Sequence, residues 1–332
     1  MKQLAFIVLI LGISGCVTVP SVDRVPDVVL DSGPTNSAPR AEVERWWLEL
    51  DDSVLHNLIE IGLAGNPSRQ IAMARLAQAE AELGAAEAAR WPSLFGRGNR
   101  QVRNISGRDP NIRSDLGSLD FGWDAGLWGK RRLEIEGAQQ FAEQRWFEQQ
   151  SVELALSASI AETYYQTVAL RTQGALLAAQ IQVSKDLERL IEARFRLGQA
   201  PANELYQQRE QTTVLEQLRL VNDTRQEVLE KSLDVLLGQP PDAVARVVRL
   251  AVPDAPEALG TGTPEEHIRH RADIRAGYAR LRQAAAGVGI SFAERLPSLQ
   301  VTASLTSLTE KTFSTEWFGY GLDLTVPIFT GG

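Results

Sequence analysis

Residues 74–94 read ARLAQAEAELGAAEAARWPSL, and residues 279–299 read ARLRQAAAGVGISFAERLPSL. At an offset of 205 positions, Ala74-Arg75-Leu76 matches Ala279-Arg280-Leu281, and Gln78-Ala79 matches Gln283-Ala284. Ala81, Gly84, Ala88 and Arg90 match Ala286, Gly289, Ala293 and Arg295, and Pro92-Ser93-Leu94 then matches Pro297-Ser298-Leu299. More than half of the window is identical. Each copy ends in the same change of period, helical before the proline and extended after it. A duplicated helix-to-strand junction marks an internal repeat, which sets the plan of the whole chain.

Downstream of each junction the pattern alternates. In Leu119-Asp120-Phe121-Gly122-Trp123-Asp124-Ala125-Gly126-Leu127, apolar residues occupy every second place and Asp or Gly the rest. Phe318-Gly319-Tyr320-Gly321-Leu322-Asp323-Leu324-Thr325-Val326 behaves the same way. Leu299, Val301, Ala303 and Leu305 alternate with Gln300, Thr302 and Ser304. Two settings produce such strands: a half-exposed antiparallel sheet, or a membrane barrel with lipid outside and water inside. Strands of about ten residues suit a tilted membrane crossing. Trp91, Trp128, Trp317 and Phe318 at their ends suit an interfacial aromatic girdle.

Between the strand regions lie helices. A first helix is expected to begin near Ala41–Trp47, and a second to run from Ser53 to Arg90 with a break at Gly65-Asn66-Pro67, since proline favours a first turn. Lys130 to Leu197 holds no proline and would extend roughly 100 Å as one helix, so it needs partners along its length. Gly198-Gln199-Ala200-Pro201 stops it, and a return helix covers Asn203–Leu237. Glu–Arg pairs along this hairpin read as solvated faces. Gly238-Gln239-Pro240-Pro241 breaks the pattern, a loop-rich stretch follows, and a third helical region spans Pro264–Glu294.

The N-terminus carries Lys2, an apolar core from Leu4 to Leu11, and Ile13-Ser14-Gly15-Cys16. This is a secretory signal ending at the sole cysteine, and it resembles a bacterial lipobox in which the thiol is diacylated. Val17 follows Cys16, in place of the aspartate linked to inner-membrane retention. With such a signal in view, the barrel setting of the strands is favoured over the soluble sheet. The expected segments are a signal peptide (1–15), a lipidated tether (16–40), a first helical region (41–90) and a first β-hairpin (91–128). A long helical hairpin (129–238), a loop-rich segment (239–263), a second-repeat helix (264–294) and a second β-hairpin (295–330) complete the order. The second copy of the repeat is incomplete, with no counterpart to the long helix and its return.

Thirty-four Lys+Arg against 42 Asp+Glu give a net charge of -8, which argues against a nucleic-acid partner. There is no P-loop, dinucleotide fingerprint or nucleophile elbow. His267 and His270 stand three apart, but the adjacent Glu265 and Glu266 read as an acidic first helical turn. His56 is isolated and reads as structural. No enzyme, cofactor or metal site is expected.

Several short stretches, in this order, resemble the TolC family, and in particular its lipidated NodT-like outer-membrane factors of resistance-nodulation-division pumps. They are Trp46-Trp47 with Leu58-Ile59 and Asn66-Pro67, Trp91-Pro92-Ser93-Leu94, Trp123-Asp124 with Trp128-Gly129-Lys130-Arg131-Arg132, Leu236-Leu237-Gly238, Arg271-Ala272-Asp273-Ile274-Arg275 and Val326-Pro327-Ile328-Phe329-Thr330-Gly331-Gly332. Ala272 departs from the proline usual there. The resemblance implies a mainly α protein with transmembrane β-strands. Long antiparallel helices would form a periplasmic α-barrel, and two β-hairpins would enter a trimeric outer-membrane barrel of about twelve strands. Four strands cannot close a barrel, and lipid does not tolerate open edges, so trimerisation follows from the barrel reading.

The function implied is that of a passive exit duct in a tripartite efflux system, with a membrane-fusion adaptor, an inner-membrane pump and outer-membrane lipid as partners. Cys16 would be the lipidation site. The turn Arg196-Leu197-Gly198-Gln199-Ala200-Pro201 would meet the adaptor, and Leu119, Phe121, Trp123, Phe318, Tyr320, Leu322, Leu324 and Val326 would face lipid. With one complete repeat, the isolated 332-residue chain is not expected to conduct. A periplasmic coiled-coil lipoprotein of structural role, or a non-functional truncated copy of the channel, is the alternative.

Overall fold

The computed structural model describes residues 45–103, 112–241, 271–310 and 313–329. Cys16, the segments 1–15 and 16–40, and the histidines 267 and 270 lie outside the described residues, as does nearly all of 239–263. Helices are α1 (Ser53–Gly65), α2 (Pro67–Ala88), α3 (Lys130–Arg196), α4 (Ala202–Leu236) and α5 (Ala272–Ala293). Strands are β1 (Ser93–Arg103), β2 (Ile112–Asp124), β3 (Ser298–Glu310) and β4 (Ser314–Thr325). The described residues divide into two compact units, the first made of 75–103, 112–147, 271–310 and 313–329 and the second of 45–74 and 148–241.

The described elements differ from the expectations in three places. Ahead of α1 the described residues form only a short 3-10 turn, Trp46–Glu49. The strand expected to run to Leu127 ends at Asp124, because Gly126 adopts a left-handed conformation and a 3-10 turn follows. Val326 falls one residue beyond β4. Of the third helical region expected over 264–294, residues 264–270 lie outside the described residues, and the helix is described from Ala272 with Arg271 as its N-cap residue.

In the first unit, β1 to β4 form one antiparallel sheet in chain order. Hairpins β1–β2 and β3–β4 come from the two repeat copies, and β2–β3 joins them. The helical part is packed on small residues. Ala276, Ala279, Ala286, Gly289 and Ala293 are the buried face of α5. Added carbon at Gly137 of α3 would meet Ala286 Cβ at 3.6 Å, so the two backbones run close. Arg275 stacks over Phe147 at 4.2 Å from the ring centre.

The second unit holds the main apolar core: Trp47, Leu55, Leu58, Ile59, Leu156, Ile160, Ala161, Tyr164, Val168, Leu233 and Leu237. Leu55, Ile59 and Ile160 are wholly enclosed, each contributing about 1.5–3 kcal/mol by removal from water. Buried Asp52 caps α1 by accepting from the backbone N–H groups of Val54 and Leu55. Tyr164 O–H donates to the same carboxylate at 3.1 Å. At the α1–α2 break, Asn66 accepts from Ser68 N–H at 2.8 Å and donates to the Leu236 carbonyl at 2.9 Å. The broken helix is thereby tied to the end of α4.

Candidate functional sites: one sheet face and one helical turn

The register of the sheet decides which strand residues share a face. Leu119 pairs with Leu305 and Leu305 with Phe318. Phe121, Ala303 and Tyr320 form the next row, and Trp123, Val301 and Leu322 the row beyond, with Leu299 opposite Leu324. Side chains alternate across a sheet, so Leu119, Phe121, Trp123, Phe318, Tyr320, Leu322 and Leu324 project from one face together. All seven are on the face the alternation assigns them. Leu119, Trp123, Leu305, Phe318, Tyr320, Leu322 and Leu324 are exposed, up to 84 % at Tyr320, while Phe121, Leu299 and Val301 are half-buried. The other face carries Asp120, Ser304 and Gly319 in one row, Gly122, Thr302 and Gly321 in the next, then Asp124, Gln300 and Asp323.

Two of the expected girdle aromatics are placed differently. Trp317 pairs with Thr306 and so lies on the face opposite to Phe318. Trp128 is tied inward: its indole N–H donates to the Pro297 carbonyl at 2.8 Å. Trp123 N–H likewise donates to the Arg90 carbonyl at 3.0 Å. Each indole thus fastens β2 or its exit to one copy of the duplicated junction. Trp128 holds φ of 66° between Gly126 and Gly129, both also at positive φ. For a non-glycine residue this is strained, and the Pro297 bond holds it there. Trp91 and Phe318 of this set are largely exposed, at 75 % and 66 %.

The turn between α3 and α4 is a Schellman cap. Gly198 has φ of 77°, its N–H reaches the Phe195 carbonyl at 2.9 Å, and Gln199 N–H reaches the Arg194 carbonyl at 2.8 Å. Ala200 is buried, Arg196, Gly198, Gln199 and Pro201 are exposed, and Leu197 is 73 % exposed at the tip. Arg196 donates to Glu192 at 2.7 Å, and this bond holds the Glu192 carboxyl below the usual carboxylate range. Arg194 lies 3.6 Å from Glu204 across the turn. Five of the six turn residues are thus exposed around buried Ala200, with Leu197 at the tip and Arg194 and Arg196 beside it.

Two further surfaces on this hairpin escape a reading based on charge pairs. Leu176, Val183, Leu190 and Leu197 on α3 stand seven residues apart and are all exposed. Val214, Val221, Val228 and Val235 on α4 do the same. Spacing by seven is the signature of a coiled-coil seam, and it is visible in the sequence. Beyond the apolar core, polar side chains also join α3 to α4. Ser184 and Thr212 hydroxyls lie 3.0 Å apart, Gln208 donates to Ser184 Oγ at 2.8 Å, and Asn222 donates to the Leu170 carbonyl at 3.1 Å. Arg171 pairs with Glu230 at 2.6 Å with both side chains largely covered, an exception to the expectation of solvated pairs.

Among the described residues no group of three or more His, Cys, Asp or Glu could hold a metal. The His56 ring shares a 2.7 Å hydrogen bond with the Leu50 carbonyl, a structural role. No described helix is long and apolar enough to cross a membrane.

Comparison with known proteins places this architecture. The chain is 28 % identical over 311 residues to the pyoverdine export outer membrane protein OpmQ of Pseudomonas aeruginosa, covering 88 % of this chain and 65 % of that protein. It therefore spans just under two thirds of that relative's length. The crystal structure of the outer membrane protein VceC from Vibrio cholerae superposes with a TM-score of 0.75 at 26 % identity, over 87 % of this chain and 72 % of that one. The Campylobacter jejuni CmeC outer membrane channel shares the fold at a TM-score of 0.81 and 20 % identity, over 95 % and 71 %. The sequence model for outer membrane efflux proteins matches residues 58–239, more than half the chain, and the chain belongs to that family.

Proposed function

We propose that this chain is part of the passive outer-membrane exit duct of a tripartite efflux system, working as a homotrimer with a periplasmic adaptor and an inner-membrane pump. The observation that supports this reading is the asymmetry of the sheet near the helices: a face of aromatic and aliphatic residues backed by a mainly polar face of Asp, Ser, Thr, Gln and Gly, on which Phe95 is the apolar exception. In water the first face has no use, whereas in a barrel wall it meets lipid while the second meets the channel. β1 and β4 are open edges, and pairing β4 of one copy with β1 of the next closes the wall.

The seven-residue seams of α3 and α4 would be covered by helices of the tunnel, including those of a neighbouring copy. Leu197, with Arg196, Gly198, Gln199, Ala200 and Pro201, would dock the adaptor. Cys16, diacylated, would anchor each protomer to the inner leaflet of the outer membrane. The duct performs no chemistry; it passes what the pump delivers.

The test uses complexes extracted from native outer membranes rather than the isolated chain. Native mass spectrometry and planar-bilayer recording should find three copies and ion-conducting pores. A water-extractable, non-conducting particle would sink the reading and favour a scaffolding lipoprotein.

A further inference from the structure

The repeat runs through the sheet as well as through the sequence. At the offset of 205 residues β1 maps onto β3, so Gly98 corresponds to Ala303, Asn99 to Ser304 and Arg100 to Leu305. β2 maps onto β4 through the hairpin registers, which pair Ser93 with Gly122 and Ser298 with Thr325. Leu119-Asp120-Phe121 thereby falls on Leu322-Asp323-Leu324, a likeness that the registers alone do not require. The seam between the two hairpins pairs Leu119 with Leu305, Asp120 with Ser304 and Phe121 with Ala303. It is staggered: Gly96 shares a row with Leu305, four residues beyond its repeat counterpart Val301. Such stagger is what a sheet needs to close into a barrel.

Two edges of the sheet lack a partner strand, β1 and β4. They differ in shape. On the face of Phe121 and Leu322, β4 carries Phe318, Tyr320, Leu322 and Leu324, all exposed, whereas β1 carries Gly96 and Gly98 between Leu94 and Arg100. A Cβ at Gly98 would meet no atom within 4 Å, so β1 offers a strip of free space where β4 offers bulk. We propose that the seam between copies repeats the internal one: Asp323 of one copy stands opposite Asn99 of the next, Leu324 opposite Gly98, Leu322 opposite Arg100 and Gly321 opposite Gln101. This rests on the duct reading above, which requires only that β4 meet β1. The internal seam sets large Phe121 against small Ala303, and Leu324 against Gly98 repeats that fit. Leu322 meets the apolar stem of Arg100, whose guanidinium is held by Asp115 at 2.6 Å. Every pair keeps outward residues beside outward ones, as a slip by one residue would not. An unstaggered continuation would set Phe318 opposite Gly96 and leave the wall open.

The experiment is oxidative cysteine cross-linking of complexes in native outer membranes, read as covalent dimers and trimers on non-reducing gels. The variants are Asn99→Cys with Asp323→Cys, Gln101→Cys with Gly321→Cys, and Arg97→Cys with Asp323→Cys. Each single variant is run beside them, and wild type, whose sole cysteine is Cys16, sets the background. The first two pairs are directly opposite in the proposed register and should link. The third is displaced by two residues, a diagonal separation of about 7–8 Å that a disulfide does not span, and should link at least about tenfold less. Should the first pair fail to insert, the second reads the same register. Linking of the third pair as strong as that of the others overturns the register and leaves the duct standing. So does an absence of links in all pairs while native mass spectrometry still counts three copies. A single copy without pores, in wild type and variants alike, overturns the duct reading and the seam with it.

Discussion

Leu197 and Leu237 occupy the same position in the same type of helix cap, yet Leu197 is 73 % exposed and Leu237 only 1 %. Each precedes a positive-φ glycine and a glutamine, and the cap hydrogen bonds of Gly198 and Gly238 follow one pattern. Local geometry therefore does not explain Leu197. Replacing it with Ser should leave thermal stability almost unchanged, and cross-linking to the adaptor should fall sharply. Leu237→Ala should cost about 2–5 kcal/mol in denaturant unfolding, because it opens a cavity in the core.

The two cap glycines should also separate. A Cβ at Gly198 would meet no atom within 4 Å, so Gly198→Ala costs only its left-handed backbone, about 1–2 kcal/mol. A Cβ at Gly238 would overlap the Gly65 carbonyl. Gly238→Ala adds that clash to the backbone term, and its melting temperature should drop well below that of Gly198→Ala. Equal losses would mean that the α1–α4 joint yields.

Asp52 and Tyr164 form one buried unit. Asp52→Ala removes the α1 cap and the tyrosine's acceptor together, an expected loss of about 1–3 kcal/mol. Tyr164→Phe alone should cost less. A double-mutant cycle by chemical denaturation should show coupling of at least about 0.5 kcal/mol. Strict additivity would show that the Tyr164 hydrogen bond adds nothing.

The two sheet faces predict opposite tolerance of charge. Leu322→Arg places a cation against hydrocarbon and should cost about 2–4 kcal/mol near the bilayer midplane, visible as loss of folded protein from the outer-membrane fraction. Thr302→Arg, on the reverse face and one row away, should still insert and instead change conductance. If both insert equally well, the assignment of the faces is wrong.

Glu192 is held below the ordinary carboxylate range by Arg196, so the contribution of the pair is complete above the unfolded carboxylate pKa and is lost as pH falls through the lowered folded one. Adaptor cross-linking through the turn should accordingly be flat from neutral pH down to about pH 5. A decline within that window would point to another titrating group.

Much of the fold was legible in the chain. The 205-residue offset, the proline-free run from Lys130 and the alternation at 119–124 and 318–325 rest on backbone period and chain-breaking residues, which are local properties. Period also assigned seven strand residues to one face, because alternation is set by the pleat itself. Where each strand stops and where each tryptophan points was not legible. Leu127 continues the alternation, but Gly126 turns the chain first. Trp317 and Phe318 are neighbours that only register places on opposite sides, and Trp128 looks like a girdle residue until Pro297 is seen accepting its N–H. The seven-residue seams of α3 and α4 lay in plain view but were masked by the charges between them. What the sequence determined alone is the order of elements and the two-fold repeat, since these follow from propensity and period. What only the tertiary structure decided is which of two like caps is core and which is surface, and what Trp128 is tied to, because both depend on partners far away in the chain.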